Sequence, residues 1–167
     1  SLVEKMISGI HWESVKTILE PSAGKGDILR EVAKNEEYKQ FDVDCIEIDS
    51  NLRQVLKYNF GDRKLELQNE IENITSKYNY CNPNLLRYYN NTTKQYEDLP
   101  CKDVEKLEKI KMEKETFFSN GIHIIHDDFL TYKPYKRYDL ILMNPPFSNG
   151  DKHLLKALQM QEKGGNI

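Results

Sequence analysis

Apolar residues fall along the 167-residue chain in short blocks whose spacing switches between helical and strand-like. Leu2, Val3, Met6, Ile7 and Ile10 share one face of a helix over 2–10. The run VKTILE (15–20) predicts a strand that stops at Pro21, since proline supplies no N–H to a ladder. A turn of small residues, PSAGKG (21–26), follows, and Ile28, Leu29 and Val32 restore helical spacing over 27–35. In FDVDCIEID (41–49) Phe41, Val43 and Cys45 alternate, with Ile46 and Ile48 after them, which predicts a second strand. Ser50 is placed to cap a helix carrying Leu52, Val55 and Leu56. Strand patterns return in GIHIIHDDF (121–129) and YDLILMN (138–144). Leu154, Leu155, Ala157 and Leu158 predict the apolar face of a last helix over 151–165, with Gly164-Gly165 as its stop.

Between these blocks, residues 60–120 are polar and rich in Tyr and Asn, with no sustained strand pattern. One helix is expected there, over 103–118, through Val104, Leu107 and Ile110. A connection this long in a compact domain marks an insertion. The remaining order of strands and helices is that of an α/β fold, a doubly wound sheet of parallel strands with crossover helices.

Composition narrows the function classes. Apolar residues make up 38% and charged residues 31%, and the net charge of −3 carries no bulk signature of a nucleic-acid surface. Three cysteines without a CxxC spacing argue against a disulfide framework or a zinc site and fit a reduced, cytoplasmic setting. No run of about 18 apolar residues predicts a membrane span.

The chemistry concentrates at strand ends, where doubly wound sheets bind ligands. Glu20-Pro21-Ser22-Ala23-Gly24-Lys25-Gly26 places two glycines between strand and helix, which permits a tight turn and close backbone approach. The turn lacks the third position of the dinucleotide fingerprint and the spacing of a P-loop, and a glycine pair alone also suits an ordinary βα turn. Glu47 lies about 20 residues further on, where an acid can accept from both hydroxyls of a ribose; the alternatives are an ordinary solvated strand end for Glu47 and a helix N-cap for Asp49. Asp127-Asp128-Phe129 adds a carboxylate able to accept from an exocyclic amine and a ring able to pack on a purine. The two aspartates point to opposite faces of a strand, as do His123 and His126, so neither pair suits a dyad or a metal site. Asn144-Pro145-Pro146-Phe147 ends the strand pattern of 138–144 with an amide, two stiff prolines and a ring.

In this order the four stretches resemble the class I S-adenosylmethionine-dependent methyltransferases, in particular the amino-methyltransferases with an Asn/Asp-Pro-Pro-aromatic motif. ILEPSAGKGDIL looks like the first cofactor motif, CIEID the ribose-binding acid, HDDF the adenine-side acid and NPPF the catalytic motif. The resemblance covers roughly 15–58 and 121–163 and skips the insertion. It is nearest to N6-adenine DNA methyltransferases of restriction–modification systems. It implies a Rossmann-like sheet and S-adenosylmethionine as cofactor, with no metal. Glu20, Pro21, Ser22, Ala23, Gly24 and Gly26 would border its methionine part, with Glu20 near the amino group. Glu47 would hold the ribose, Ile48 would pack on the adenine, and Asp128 would accept from its N6 with Phe129 alongside. Asn144 and the Pro145 carbonyl would take the hydrogens of the target amine, Pro146 would stiffen the loop, and Phe147 would stack on a flipped base.

The same resemblance implies DNA as partner, contacted largely through regions outside this sequence, with a restriction or specificity subunit as a candidate companion. A threonine/proline-containing motif before residue 1, further strands and a target-recognition region are expected of the family but not found here. The chain therefore reads as a single, incomplete catalytic domain, truncated after the fourth core strand and its helix, with YDLILMN at a sheet edge. The insertion at 60–120 falls between the second and third core strands. Glutamine-N5 methylation of protein and guanine-N2 methylation of RNA use the same motif, and a non-catalytic cofactor-binding module in a larger complex is a third alternative.

Overall fold

The computed structural model describes residues 2–34 and 40–166; the side chains of Leu2, Phe147 and residues 162–166 are outside that set. Asn35, the expected end of the helix over 27–35, also lies outside the described residues. In chain order the elements are α1 (Leu2–Ile7), β1 (Thr17–Glu20), α2 (Asp27–Ala33), β2 (Asp42–Ile46), α3 (Ser50–Lys57), α4 (Arg63–Thr75), β3 (Arg87–Asn90) and β4 (Gln95–Asp98). They continue with α5 (Cys101–Lys114), β5 (His123–His126), β6 (Tyr138–Ile141), α6 (Gly150–Met160) and β7 (Gln161–Asn166). The chain divides into two compact units, one made of residues up to Gly61 and from Thr116 onward, the other of Asp62–Glu115.

The first unit is the expected doubly wound α/β sheet. Its strands are ordered β5-β2-β1-β6-β7 and all pair in parallel. The chain lays down β1, β2 and β5 in one direction, then returns to the other side of β1 with β6. The point of reversal, between β1 and β6, is where such sheets open a crevice at the carboxyl ends of the strands. Both faces of the sheet are covered, which explains why Ile18-Leu19 of β1 and Leu140-Ile141 of β6 are consecutive apolar residues. Ile18 packs with Leu29, Val32, Val43, Cys45 and Leu140 on one face. Its neighbour Leu19 packs with Ile46, Tyr138, Ile141, Ala157 and Met160 on the other. Each of the Val, Leu, Ile and Met side chains among them contributes about 1.5–3 kcal/mol of transfer free energy.

Four expectations are corrected. The cap of α3 is Asp49, the alternative cap, rather than Ser50: its carboxylate accepts from the N–H groups of Asn51 and Leu52 at 2.7 and 3.1 Å. An aspartate one position earlier outcompeted the serine because its backbone is extended and its side chain reaches the two free donors. The last helix stops at Met160, where Gln161 turns to extended backbone (φ −70°, ψ 146°), and 161–166 form β7. The sheet thus continues past the fourth core strand, and β6 lies between β1 and β7 rather than at an edge. The buried face of α6 is His153, Ala157 and Met160, while Leu154, Leu155 and Leu158 are exposed. Both sets repeat at helical spacing, and tertiary packing selected the less apolar one.

The second unit pairs helices α4 and α5 and carries a β3–β4 hairpin, where only one helix was expected and no strand. Arg63 of α4 donates to both oxygens of Glu113 of α5, at 2.8 and 3.0 Å. The hairpin is held by polar side chains: Tyr88, Asn90 and Thr93 all donate to the carboxylate of Glu97. Such a hairpin leaves no alternation of apolar and polar residues to read. Tyr78 donates to the buried carboxylate of Asp103 at the start of α5. Among the described residues no helix is long and apolar enough to cross a membrane.

Candidate functional site

The site is built from the loops at the carboxyl ends of β1, β2, β5 and β6. β1 delivers Glu20 to a position where the residue is 1% exposed and its Oε2 has no hydrogen-bond partner among the described residues. Burial, reinforced by the charges of Asp27 and Glu47, pushes its pKa well above the ordinary carboxylate range. The chain then turns sharply: Ala23 N donates to Ile46 O at 3.0 Å, and Gly26 N donates to Ala23 O at 2.8 Å. Gly24 and Gly26 both hold positive φ, 55° and 84°. They do so for different reasons. A Cβ on Gly26 would lie 2.3 Å from the Phe60 ring, whereas one on Gly24 would meet no atom within 4 Å.

The glycine turn is tied to the end of β2 by Glu47. Its Oε2 accepts from Gly24 N at 2.6 Å and its Oε1 from Asp49 N at 2.9 Å. A carboxylate has about four lone-pair sites, so each oxygen keeps one for a further donor. Arg53, one turn into α3, donates to the carbonyls of Glu47 and Ile48 at 2.7 and 2.8 Å. That clamp leaves Ile48 as an apolar side chain 71% exposed, directly beside a buried glutamate.

The Asn144 loop approaches the glycine turn from the other side of the switch point. Ser22 Oγ donates to Asn144 O at 3.2 Å, and Leu142 N donates to Leu19 O at 2.9 Å. Asn144 is exposed, and its side-chain amide has no hydrogen bond to the described residues. Pro146 is extended (φ −62°, ψ 138°), and its carbonyl accepts from Asn149 N at 3.2 Å to start a short turn over Phe147–Asn149. The side chain of Phe147 lies outside the described residues. Pro145 lines an apolar cavity of about 350 Å³ with Met6, Ile10, Leu142, Met143 and Leu154.

After β5, Asp128 caps its own turn: its Oδ1 accepts from Leu130 N at 2.9 Å. Phe129, expected beside a purine, is 2% exposed and packs against His153 and the Lys156 ammonium of α6, at 5.5 and 5.4 Å between centres. Both contacts are with protein, which places the ring in the core. The structure thus brings Glu20, Pro21, Ser22, Ala23, Gly24, Gly26, Glu47 and Asn144 together by direct bonds and packing around one turn. Asp128 stands at the next strand end, unbonded to that group among the described residues. Arg53, His153 and Lys156 escaped the sequence reading, because each acts through backbone carbonyls or a ring that no local motif marks.

One cluster of metal-type ligands exists among the described residues, Asp42, Asp44 and His123. It lies at the opposite, amino-terminal end of the strands. Lys136 Nζ sits 2.8 and 2.9 Å from the two carboxylates and supplies the positive charge there, while Tyr138 donates to Asp44 at 2.7 Å.

No family model matches the sequence, and no curated protein matches it. Among solved structures, the rRNA methyltransferase AviRa from Streptomyces viridochromogenes superposes with a TM-score of 0.51, over 90% of this chain. The chain has a Rossmann-like methyltransferase fold. Sequence identity in that superposition is 11%, so the likeness is one of fold. The match spans 63% of the AviRa chain.

Proposed function

We propose that the chain binds S-adenosylmethionine and directs its methyl group to the exocyclic N6 amine of adenine in DNA. The observation that carries this reading is the junction at the switch point: a glycine turn bonded to Glu47 on one side and to the Asn144 loop on the other. The residues fit the cofactor. Glu20 is a buried carboxylate with an unpartnered oxygen, suited to an ammonium group. Open space at Gly24 admits a ligand against the backbone, and the exposed Ile48 offers an apolar surface for a purine. Glu47 would hold the ribose hydroxyls and Asp128 the adenine amine.

Bound there, S-adenosylmethionine would supply an electrophilic sulfonium methyl group. The chain's own residues act on the amine that receives it. The lone pair of an aromatic amine is delocalised into its ring, which makes it a poor nucleophile. Two acceptors aimed at its N–H bonds, the Asn144 side-chain oxygen and the Pro145 carbonyl, favour a pyramidal nitrogen and stabilise its developing positive charge. Pro145 and Pro146 hold those acceptors with little conformational freedom, so alignment costs less entropy. A base within a duplex cannot reach this loop, which makes base flipping part of the reading.

The second reading keeps this chemistry and changes the polymer, since the fold neighbour is an rRNA methyltransferase. Transfer of labelled methyl from S-adenosylmethionine to DNA, RNA and a glutamine-bearing protein tests both. Label recovered as N6-methyladenine in DNA supports the first reading. Label confined to RNA guanine, or to protein, rejects it.

A further inference from the structure

α6 carries two polar side chains, buried His153 and half-buried Lys156, beside the two halves of the candidate site. Lys156 Nζ donates to Leu130 O at 2.8 Å and Tyr132 O at 2.5 Å, closing the turn that Asp128 opens. Its ammonium also lies over the Phe129 ring. One turn earlier, His153 Nδ1 stands 2.8 Å from Asn149 O, at the end of the short turn that follows Asn144-Pro145-Pro146. A carbonyl only accepts, so Nδ1 carries the proton and donates. The same imidazole packs on Phe129 at 5.5 Å. α6 thus grips the Asp128 turn through Lys156 and is joined directly to the Asn144 loop through its own N-cap, Asn149, with Phe129 packed against Lys156 and His153.

A helix that needed only to bury a face could have used leucine here, and α6 leaves three leucines exposed instead. Burying an ammonium is costly unless it is partnered, and burial does pull the Lys156 pKa down while the Asp128 charge opposes it. The two carbonyls it bonds would lose their donor if Lys156 were apolar.

Resting on the cofactor reading above, we propose that Lys156 is a positioning residue: it fixes the Asp128 turn against α6 so that the adenosine side of the site stands at a set distance from the Asn144 loop. The other end of that spacing is set by the chain itself, since the Asn144 loop runs into the N-cap of α6. Lys156 does not touch the ligand.

The test uses S-adenosylmethionine, 5′-methylthioadenosine and methionine as probes in calorimetry on the full chain, with Lys156→Met, Lys156→Gln and Lys156→Arg. Lys156→Met is expected to weaken S-adenosylmethionine and methylthioadenosine by about tenfold, the order of one charge-assisted hydrogen bond. Methionine affinity should stay unchanged. Lys156→Arg, which keeps a cationic donor, restores most of the loss. Lys156→Gln, which keeps one neutral donor, falls between and serves if the methionine variant does not fold. Equal affinity for methylthioadenosine in wild type and the folded variants overturns the positioning role alone. Failure of the wild-type chain to bind any of the adenosine probes overturns the cofactor reading and this role with it. A uniform loss for all three probes, methionine included, shows a general structural role and also overturns the proposal.

Discussion

The two glycines of the turn after β1 have different roles, and their substitution separates fold from function. Gly26 caps α2 at φ 84°, and a Cβ there would lie 2.3 Å from Phe60 Cε2 and 2.9 Å from Leu56 Cδ1. Phe60 and Leu56 are both buried, so neither ring nor methyl can swing into water. Gly26→Ala therefore combines a left-handed backbone penalty of about 1–2 kcal/mol with overpacking of about 1–3 kcal/mol, a total of about 2–5 kcal/mol. That is a large share of the ~5–15 kcal/mol that holds an ordinary domain together. Gly24→Ala meets no atom within 4 Å, so only the backbone term of about 1–2 kcal/mol applies. Its new methyl instead fills the space through which a ligand would approach the backbone. Urea denaturation followed by circular dichroism measures the first effect, and calorimetry with S-adenosylmethionine the second. Gly26→Ala is expected to lose most of its folded range, and Gly24→Ala to fold well but bind at least about tenfold more weakly, a loss of about 1.4 kcal/mol. Equal denaturation midpoints for the two variants would refute the packing argument. Wild-type affinity in Gly24→Ala would refute the assignment of the turn to the cofactor.

Three further outcomes are expected. Asn144→Ala should lower methyl transfer by about 10²–10³-fold, the usual loss for one transition-state hydrogen-bonding group, while binding S-adenosylmethionine as the wild type does; single-turnover assays beside calorimetry check both. Glu20 is protonated more readily folded than unfolded, so its contribution to stability is complete below its ordinary value of 4.5 and declines as pH rises toward the raised one. Glu20→Gln should flatten that decline in denaturation measured from about pH 4 upward. In the second unit, donation from Tyr78 holds the Asp103 carboxyl below its ordinary 3.8, and the tyrosine itself is pushed up to about 12. The Asp103 contribution is present above that ordinary value and lost as pH falls through the lowered one. Tyr78→Phe should therefore destabilise the chain at neutral pH and converge with wild type in acid, as read from the same denaturation series.

Much of the first unit was legible because its strands are buried on both faces and its turns carry specific chemistry. Ile18-Leu19 and Leu140-Ile141 announced core strands, and Gly24 and Gly26 announced a tight turn, in which the structure gives both glycines positive φ. The strand-end acids and Asn144 were found by motif order, and the structure places Glu20, Glu47 and Asn144 around one turn. Where apolar spacing was ambiguous, the sequence reading failed. In α6 two faces have helical spacing, and packing chose His153, Ala157 and Met160 because that face meets β6 and Phe129. The β3–β4 hairpin is built on hydrogen bonds to Glu97 rather than on an apolar face, so it left no period to detect. α4 buries only Leu67 and Ile74 and leans on the Arg63 ion pairs. Phe129 was assigned to a ligand from its place after Asp128, and only three-dimensional packing shows that its ring belongs to the core.

The central claim is that the carboxyl-end turn joining Glu20, Gly24, Glu47 and Asn144 is a cofactor site. Isothermal titration of this chain with S-adenosylmethionine tests it most directly, with Glu47→Ala as the control. The account predicts saturable binding at one site, weakened at least about tenfold in a folded Glu47→Ala chain that has lost the acceptor for the ribose. Absence of binding by the folded wild-type chain, or equal affinity in the two, would contradict it.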